Sequence, residues 1–405
     1  MKNLKKIVLI TLLMFSLMNI SNADASIFDH FNETRSSLEE KGIAFEAVYT
    51  IDYLANTQGG LQRKDTYLSN LDLTLTVDTA QLGLWEHGTF FAYMIDSSGG
   101  DKISGSIVGD TQGLDNIEAP RTTRLYEMWY EHSFLDETLA VLIGFHDYNS
   151  EFDVTEYGGL YLNSSFGISV DISGAGRPSI FPLTAVALRV KVTPNDHLEL
   201  LFAVYDGDPG DPDISEHFPR SDLDADGGAF IASEVDFYFS EDVLPGVVKL
   251  GVWHNTGEFD DIVDTDPAGD AIKRNGNTGG YLVIDKMLFR EEGSQGLGGF
   301  LQFGANKTSI NEVNVYVGGG LNYHGLIPGR DEDDIGIAVA SAFINEEISS
   351  TSTRDDHEIT IEATYSAQVN DHIRIQPDLQ YIINPGAVTG VKDAFIVGVR
   401  VEVAL

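Results

Sequence analysis

Arg189 and Lys191 stand two residues apart, as do Glu127 and Trp129, Glu234 and Asp236, and the series Arg374, Gln376, Asp378 and Gln380. Lys249, Trp253 and Asn255 share one parity farther along. In an extended strand a spacing of two places side chains on one face. Guanidinium, carboxylate and amide groups offer paired donors and acceptors, and a tryptophan ring offers a flat apolar surface. That combination suits a polyhydroxylated solute, which has hydroxyls around its rim and weakly apolar C–H faces. Trp129 and Trp253 are two of three tryptophans. The competing placement for each is a girdle of aromatic residues at a membrane interface. Arg189 and Lys191 are a cationic pair in a chain of formal net charge -38. Such cations are expected to face carboxylates across a narrow passage, where opposed charges order water and present hydrogen-bonding partners. The lining expected there is Arg189, Lys191, Arg374, Glu127, Glu234 and Asp378, with Gln376 and with Trp129 or Trp253 beside them. The competing reading of each charge is a hydrated wall without selectivity.

The elements that would hold these faces are strands whose other face is apolar. Phe395, Val397, Val399, Val401, Val403 and Leu405 alternate with Arg400 and Glu402. Ile373, Ile375, Leu379 and Tyr381 alternate with the Arg374 series, and Ile359, Ile361, Ala363 and Tyr365 with Glu362 and Thr364. One apolar and one wet face is the pattern of an all-β, transmembrane antiparallel barrel with a water-filled lumen. From Ile43 onward the alternation predicts about 16 strands in one barrel over 43–405. The spans are 43–55, 66–78, 88–97, 122–134, 138–147, 183–193, 197–206, 229–240, 246–256, 278–290, 297–307, 313–323, 335–345, 357–368, 371–383 and 393–405. Connections after even strands are expected to be short, as at Pro194-Asn195-Asp196 and Val369-Asn370, and those after odd strands long. The turn from Gly325 to Asp334 is longer than this rule allows. The connection from Asp147 to Pro182 is the longest and is expected to fold inward and narrow the pore. Its Tyr157-Gly158-Gly159-Leu160-Tyr161 and Asn163-Ser164-Ser165-Phe166-Gly167 runs suit packing against a wall. A short helical segment over 26–42, capped near Asn32 or Thr34, precedes the first strand.

Residues 1–25 read as a signal peptide: Lys2, Lys5 and Lys6, an apolar run from Ile7 to Ile20, and Ala23-Asp24-Ala25 as a small-x-small cleavage site. With 405 residues and no cysteine, an exported chain draws its rigidity from backbone pairing rather than disulfides. The acidic balance makes nucleic acid an unsuitable partner. Asp222, Asp224 and Asp226 imitate the start of a calcium loop, but Ser233 occupies the position of its bidentate Glu, and Glu234 comes one residue late. A weak structural calcium site is the only cofactor expected. The competing reading is a solvated acidic loop, and Glu258 to Asp270 is a second such carboxylate-dense stretch. No nucleophile or metal-hydrolase motif is present, so no enzymatic activity is expected.

RIQPDLQYIINPG followed by a final GVR strand resembles the end of the carbohydrate-selective porins, the OprB-like family of Gram-negative outer membranes. LIGFHDYNSEF, LNSSFGIS and AVYDGDP are similar to further stretches of that family, in the same order. The resemblance covers nearly the whole chain after residue 25. It implies an outer-membrane channel for passive diffusion of small sugars, surrounded by lipid and lipopolysaccharide, assembled by the barrel-insertion machinery and working as a monomer or homotrimer. Barrels of this kind usually end in an aromatic residue, whereas this chain ends in Leu405. Two other readings remain at this stage. One is a general, weakly cation-selective porin, and the other a secreted carbohydrate-binding protein built as a two-sheet sandwich.

Overall fold

The computed structural model describes residues 35–405 except 101, 214–216, 221–226, 241–243, 292, 308 and 352–353. The stretch read as a signal peptide and the Asp222, Asp224, Asp226 cluster therefore lie outside the described residues, as do Asn32 and Thr34. Of the N-terminal segment, 35–39 is helical.

Sixteen strands follow in chain order. They are β1 (Ile43–Gln58), β2 (Asp65–Asp78), β3 (Gly88–Gly99), β4 (Thr122–Phe134), β5 (Leu139–His146), β6 (Ala185–Asn195), β7 (Leu198–Asp206) and β8 (Ala229–Phe239). Next come β9 (Gly246–Thr265), β10 (Ala271–Arg290), β11 (Gly296–Asn306), β12 (Val313–His324), β13 (Asp334–Ile344), β14 (His357–Asn370), β15 (Ile373–Ile383) and β16 (Ala394–Ala404). Each pairs antiparallel with its sequence neighbours, and β16 returns to β1 with Tyr49 opposite Val403 and Asp52 opposite Arg400. The sheet is one closed barrel, which removes every edge and satisfies the backbone inside lipid. It is not a sandwich of two sheets.

Alternation decides which face meets lipid. Ile143, Val252 and Leu301 are among the most exposed apolar side chains, whereas Asp52, Arg189, Gln376 and Asp378 are buried on the other face. The connections at 135–138, 196–197 and 371–372 make one short-turn end, which also holds the helical turn at 35–39 and Leu405. The long connections 100–121, 147–184 and 207–228 share the opposite end. The nine-residue turn 325–333 follows an even strand and so lies at the short-turn end, where Asp333 ties it down, accepting from Arg330 Nε (2.6 Å), the Gln368 N–H (3.0 Å) and the Tyr365 hydroxyl.

Two expectations change. β9 and β10 run for twenty residues each, so Glu258 to Thr265 is strand, and the connection shrinks to 266–270. Cross-strand pairs hold this acidic extension: Arg274 with Asp261 (2.8 Å) and Asp264 (2.9 Å), and Lys273 with Asp260 (2.6 Å). In β4 a bulge sets Glu127 opposite Tyr93 and Leu125 opposite Met94, leaving Tyr126 as the extra residue. Beyond it the parity reverses, so Arg124 and Tyr126 are buried along with Glu127.

The core sits inside the barrel, between the wall and the two inward-folded connections. Ile103, Ile107, Val108 and Leu114 pack on Leu54, Leu68, Ile382 and Ile396. Tyr148, Phe152 and Ile172 pack on Tyr205, Phe230, Trp253 and Val283. Tyr161, Phe166 and Val170 pack on Phe300, Tyr316, Ala338 and Ala340. Lumen-facing glycines of β11 make room for the 147–184 segment. A Cβ on Gly298 would lie 2.0 Å from the Tyr157 ring, and one on Gly304 2.1 Å from the Asp171 carboxylate.

Candidate pore constriction

The inward segment 147–184 is held by wall side chains whose acceptors meet its backbone amides. Glu127 accepts the Asp147 N–H (3.0 Å), Glu234 that of Asp153 (3.0 Å) and Asp285 that of Tyr157 (3.0 Å). Glu362 accepts Leu162 (2.7 Å) and Asn163 (3.0 Å), while Gln376 Nε2 donates to the Leu160 carbonyl (2.7 Å). These contacts carry the segment from β4 round to β15. The 100–121 segment is anchored likewise: Glu358 receives the amides of Thr111 and Gln112. The two segments also bond each other, Ser164 N to Gly113 O and Asn116 N to Leu162 O, both at 2.8 Å. Lumen-facing residues of β2 to β4 that stay partly exposed, among them Asp72, Thr74, Tyr93, Trp129 and Glu131, mark the part of the wall that the two segments leave uncovered.

Two ion-pair clusters flank this opening. On β6, Arg189 reaches Glu131 Oε2 through Nη2 (2.5 Å) and Glu151 Oε2 through Nε (2.6 Å). Lys191 shares Glu151 at 3.3 Å. Glu151 comes from the inward segment, so the cluster joins wall to loop. Burial pushes the Glu151 carboxyl up, but Arg189, His146 and Lys191 outweigh it and hold it below the usual range. On β16, Arg400 clamps Asp52 with Nε (2.9 Å) and Nη2 (2.7 Å), and Nη2 also reaches Asp115 (3.3 Å) and Asn116 (2.7 Å) on the other inward segment.

Between the clusters runs an aromatic strip. Trp129 is half-buried and stacks on Phe91 with centroids 4.8 Å apart, and its Nε1 donates to Glu127 (3.2 Å). Tyr93 meets Tyr126 edge-on at 5.1 Å. The Tyr93 hydroxyl donates to Asp72 (2.6 Å) and the Tyr126 hydroxyl to Asp147 (2.6 Å). Burial pushes the Asp147 carboxyl up to about 6, against the Tyr126 and Asn149 hydrogen bonds.

The expected lining is thus divided. Lys191 and Trp129 face the lumen and stay partly exposed, while Arg189 and Glu127 face it but are 2% and 5% exposed, and Arg189 pairs with Glu131 and Glu151 rather than with Glu127, Glu234 or Asp378. Trp253 faces inward yet is 1% exposed, stacked on Phe230 (5.8 Å, 19°) with Gly176 of the loop against both rings. It is a bearing surface for the loop and offers no ring to a solute. Glu234 is sealed behind the loop with Tyr281 (2.5 Å) and Lys249 (3.7 Å). Gln376 and Asp378 also lie under it, Asp378 taking Gln380 Nε2 at 3.2 Å. Arg374 sits next to the 371–372 turn, bonded to Gln368 (3.0 Å) and Ser366 (3.4 Å), and forms no pair with Asp378. The sequence reading missed Arg400, Asp52, Asp72, Tyr93 and Glu131 as a set. Their signal was present: each has lumen parity, and closing β16 onto β1 brings Arg400 opposite Asp52. No group of three or more His, Asp or Glu side chains among the described residues is arranged to hold a metal ion.

Comparison with known proteins agrees with this geometry. The family model described as carbohydrate-selective porin, OprB family, matches residues 62–405. Porin B of Pseudomonas aeruginosa is 25% identical over 91% of this chain and 88% of its own. Among solved structures, Pseudomonas putida OprB at high pH superposes with a TM-score of 0.81 at 23% identity, covering 93% of this chain and 97% of that one. OmpF of Salmonella typhi gives 0.57 at 12% identity, over 90% and 98% of the two chains. A closed sixteen-stranded barrel narrowed by inward loops, and a family match spanning nearly all of it, identify the chain as a member of the carbohydrate-selective porin, OprB family.

Proposed function

We propose that small sugars cross the outer membrane by passive diffusion through the opening between the Arg189 and Arg400 clusters, passing over Trp129. The observation that carries this reading is the half-exposed Trp129 ring, stacked on Phe91 and bonded to Glu127, with fixed guanidinium–carboxylate pairs on either side. A sugar crossing there loses part of its hydration shell. Its C–H face lies on the indole, and its hydroxyls exchange water for carboxylate oxygens and guanidinium edges held rigid by their own ion pairs. Such contacts are weak enough to release the solute, as conduction requires. The long connections would face the cell exterior and the short turns the periplasm, with lipid and lipopolysaccharide around the apolar belt. Assembly would proceed through the barrel-insertion machinery; Leu405 exchanges backbone hydrogen bonds with Ala47 of β1. In planar bilayers, purified protein should form channels whose conductance falls reversibly as glucose or a disaccharide is added. A conductance indifferent to every sugar in a panel would refute the reading.

A further inference from the structure

We infer that the constriction excludes sugar acids and sugar phosphates while admitting neutral sugars and amino sugars, because the protein's own carboxylates already clamp its arginines. The inference rests on the sugar-channel reading above and assigns that channel its substrate class by charge. Arg189 and Arg400 are each held by two carboxylates: Glu131 and Glu151 for the first, Asp52 and Asp115 for the second. Guanidinium is a fork with a limited set of donors, and bidentate carboxylate recognition uses whole edges of it. The Nη1 of Arg189 makes no hydrogen bond, but it is buried behind the pair and out of a solute's reach. Lys191 shares Glu151 with Arg189. At Arg189 an incoming carboxylate or phosphate must therefore displace a protein carboxylate and leave it uncompensated in a poorly hydrated site, and at Arg400 the Nε and Nη2 donors are taken in the same way by Asp52, Asp115 and Asn116.

The strip between the clusters adds to the barrier. Asp72, Glu127 and Asp147 surround Tyr93 and Tyr126, and among the described residues none of the three has a cation at ion-pairing distance. Their hydrogen bonds come from hydroxyls, the Trp129 ring N–H, the Asn70 side-chain amide (2.5 Å to Asp72) and backbone amides, none of which brings a positive charge to them. An anion on a sugar is repelled along the path that its ring must take over Trp129. An ammonium group on a sugar of the same size is attracted there. Arg374 has no carboxylate partner among its hydrogen bonds, but it lies at the short-turn end, beyond the constriction.

The test is the reversal potential of single channels in gradients of glucosamine hydrochloride and of sodium gluconate, with glucose block recorded on the same channels. The expected result is a permeability for glucosaminium at least about tenfold that for gluconate. In the paired variant Glu131→Gln with Glu151→Gln, Arg189 is unmasked and gluconate permeability should rise several-fold, while Arg374→Ala should leave the ratio at its wild-type value. Gluconate passing the wild-type channel as readily as glucosaminium would overturn the inference. So would an assembled paired variant with an unchanged ratio, or a ratio that collapses in Arg374→Ala. If the paired variant fails the gel-mobility test of barrel assembly, Asp115→Asn, which alters an inward loop rather than a strand, is read by the same criterion. Loss of glucose block in the wild type would sink the sugar-channel reading, yet the two reversal potentials would still report the charge preference.

Discussion

At the scale of single residues, the two lumen tryptophans show how one parity can hide two functions. Trp129 and Trp253 both alternate with lipid-facing residues, so period two assigns them alike. The difference comes from what lies over them. Gly176 of the inward segment closes Trp253, and Phe230 backs it, whereas Trp129 keeps one side toward water. The expected consequences separate. Trp129→Ala should weaken sugar block by about tenfold, the order of a lost stacking surface of 1–2 kcal/mol, with unaltered heat-modifiable gel mobility. Trp253→Ala removes a buried ring that seats the loop and should cost about 3–5 kcal/mol of stability. Its thermal transition in detergent should fall before any change in single-channel sugar affinity is seen. Equal effects of the two substitutions on block would mean that the loop does not cover Trp253.

At the scale of elements, the segment 147–184 behaves as a plug fitted to a carboxylate-studded wall. Its length and its aromatic and glycine runs made it legible as an inward loop. The individual anchors were not legible, because a carboxylate facing a lumen and one receiving a loop amide look identical in sequence. Glu234, Gln376 and Asp378 were read as lining for that reason. One anchor within the segment titrates. Burial, foremost, with Asp171 and Glu234 nearby, pushes the Asp153 carboxyl up to about 8, although Ser169 donates to it through both N–H (3.0 Å) and hydroxyl (2.7 Å). Lys249 reaches Glu234 and Asp236 rather than Asp153. The folded state thus holds a proton that the unfolded chain releases near the ordinary aspartate value of 3.8. Stability from this group is therefore present at low pH and drains as pH rises from about 4 to about 8. In detergent, the wild-type thermal transition should fall between about pH 4 and about pH 8, and Asp153→Asn should flatten that fall. A variant whose slope matches the wild type would place the titrating group elsewhere.

At the scale of the whole molecule, strand number and most of the parity were readable, because a lipid belt and a wet lumen leave a period-two record along the strands. The sixteen spans were located to within a few residues except at β9 and β10, where charged cross-strand pairs replace apolar alternation and the hairpin rises past the point at which the pattern stops. The β4 bulge was invisible for a related reason: one inserted residue resets parity without changing composition. Closure is what sequence alternation alone does not show, and closure creates the Arg400–Asp52 clamp between residues 348 positions apart. Orientation follows from the same asymmetry of connections. The 266–270 turn caps the longest hairpin at the long-loop end, and 135–138 is a tight turn at the other, where Leu135 is 73% exposed. A barrel inserted from the periplasm keeps its short turns on that side and pushes its long loops outward. Ala268→Cys should then react with an impermeant thiol reagent on intact cells, and the chain's lack of native cysteine leaves no background. Leu135→Cys should react only after the outer membrane has been opened. The reverse pattern would invert the barrel and place the acidic β9–β10 extension in the periplasm. Labelling of both on intact cells would contradict a membrane-spanning barrel altogether.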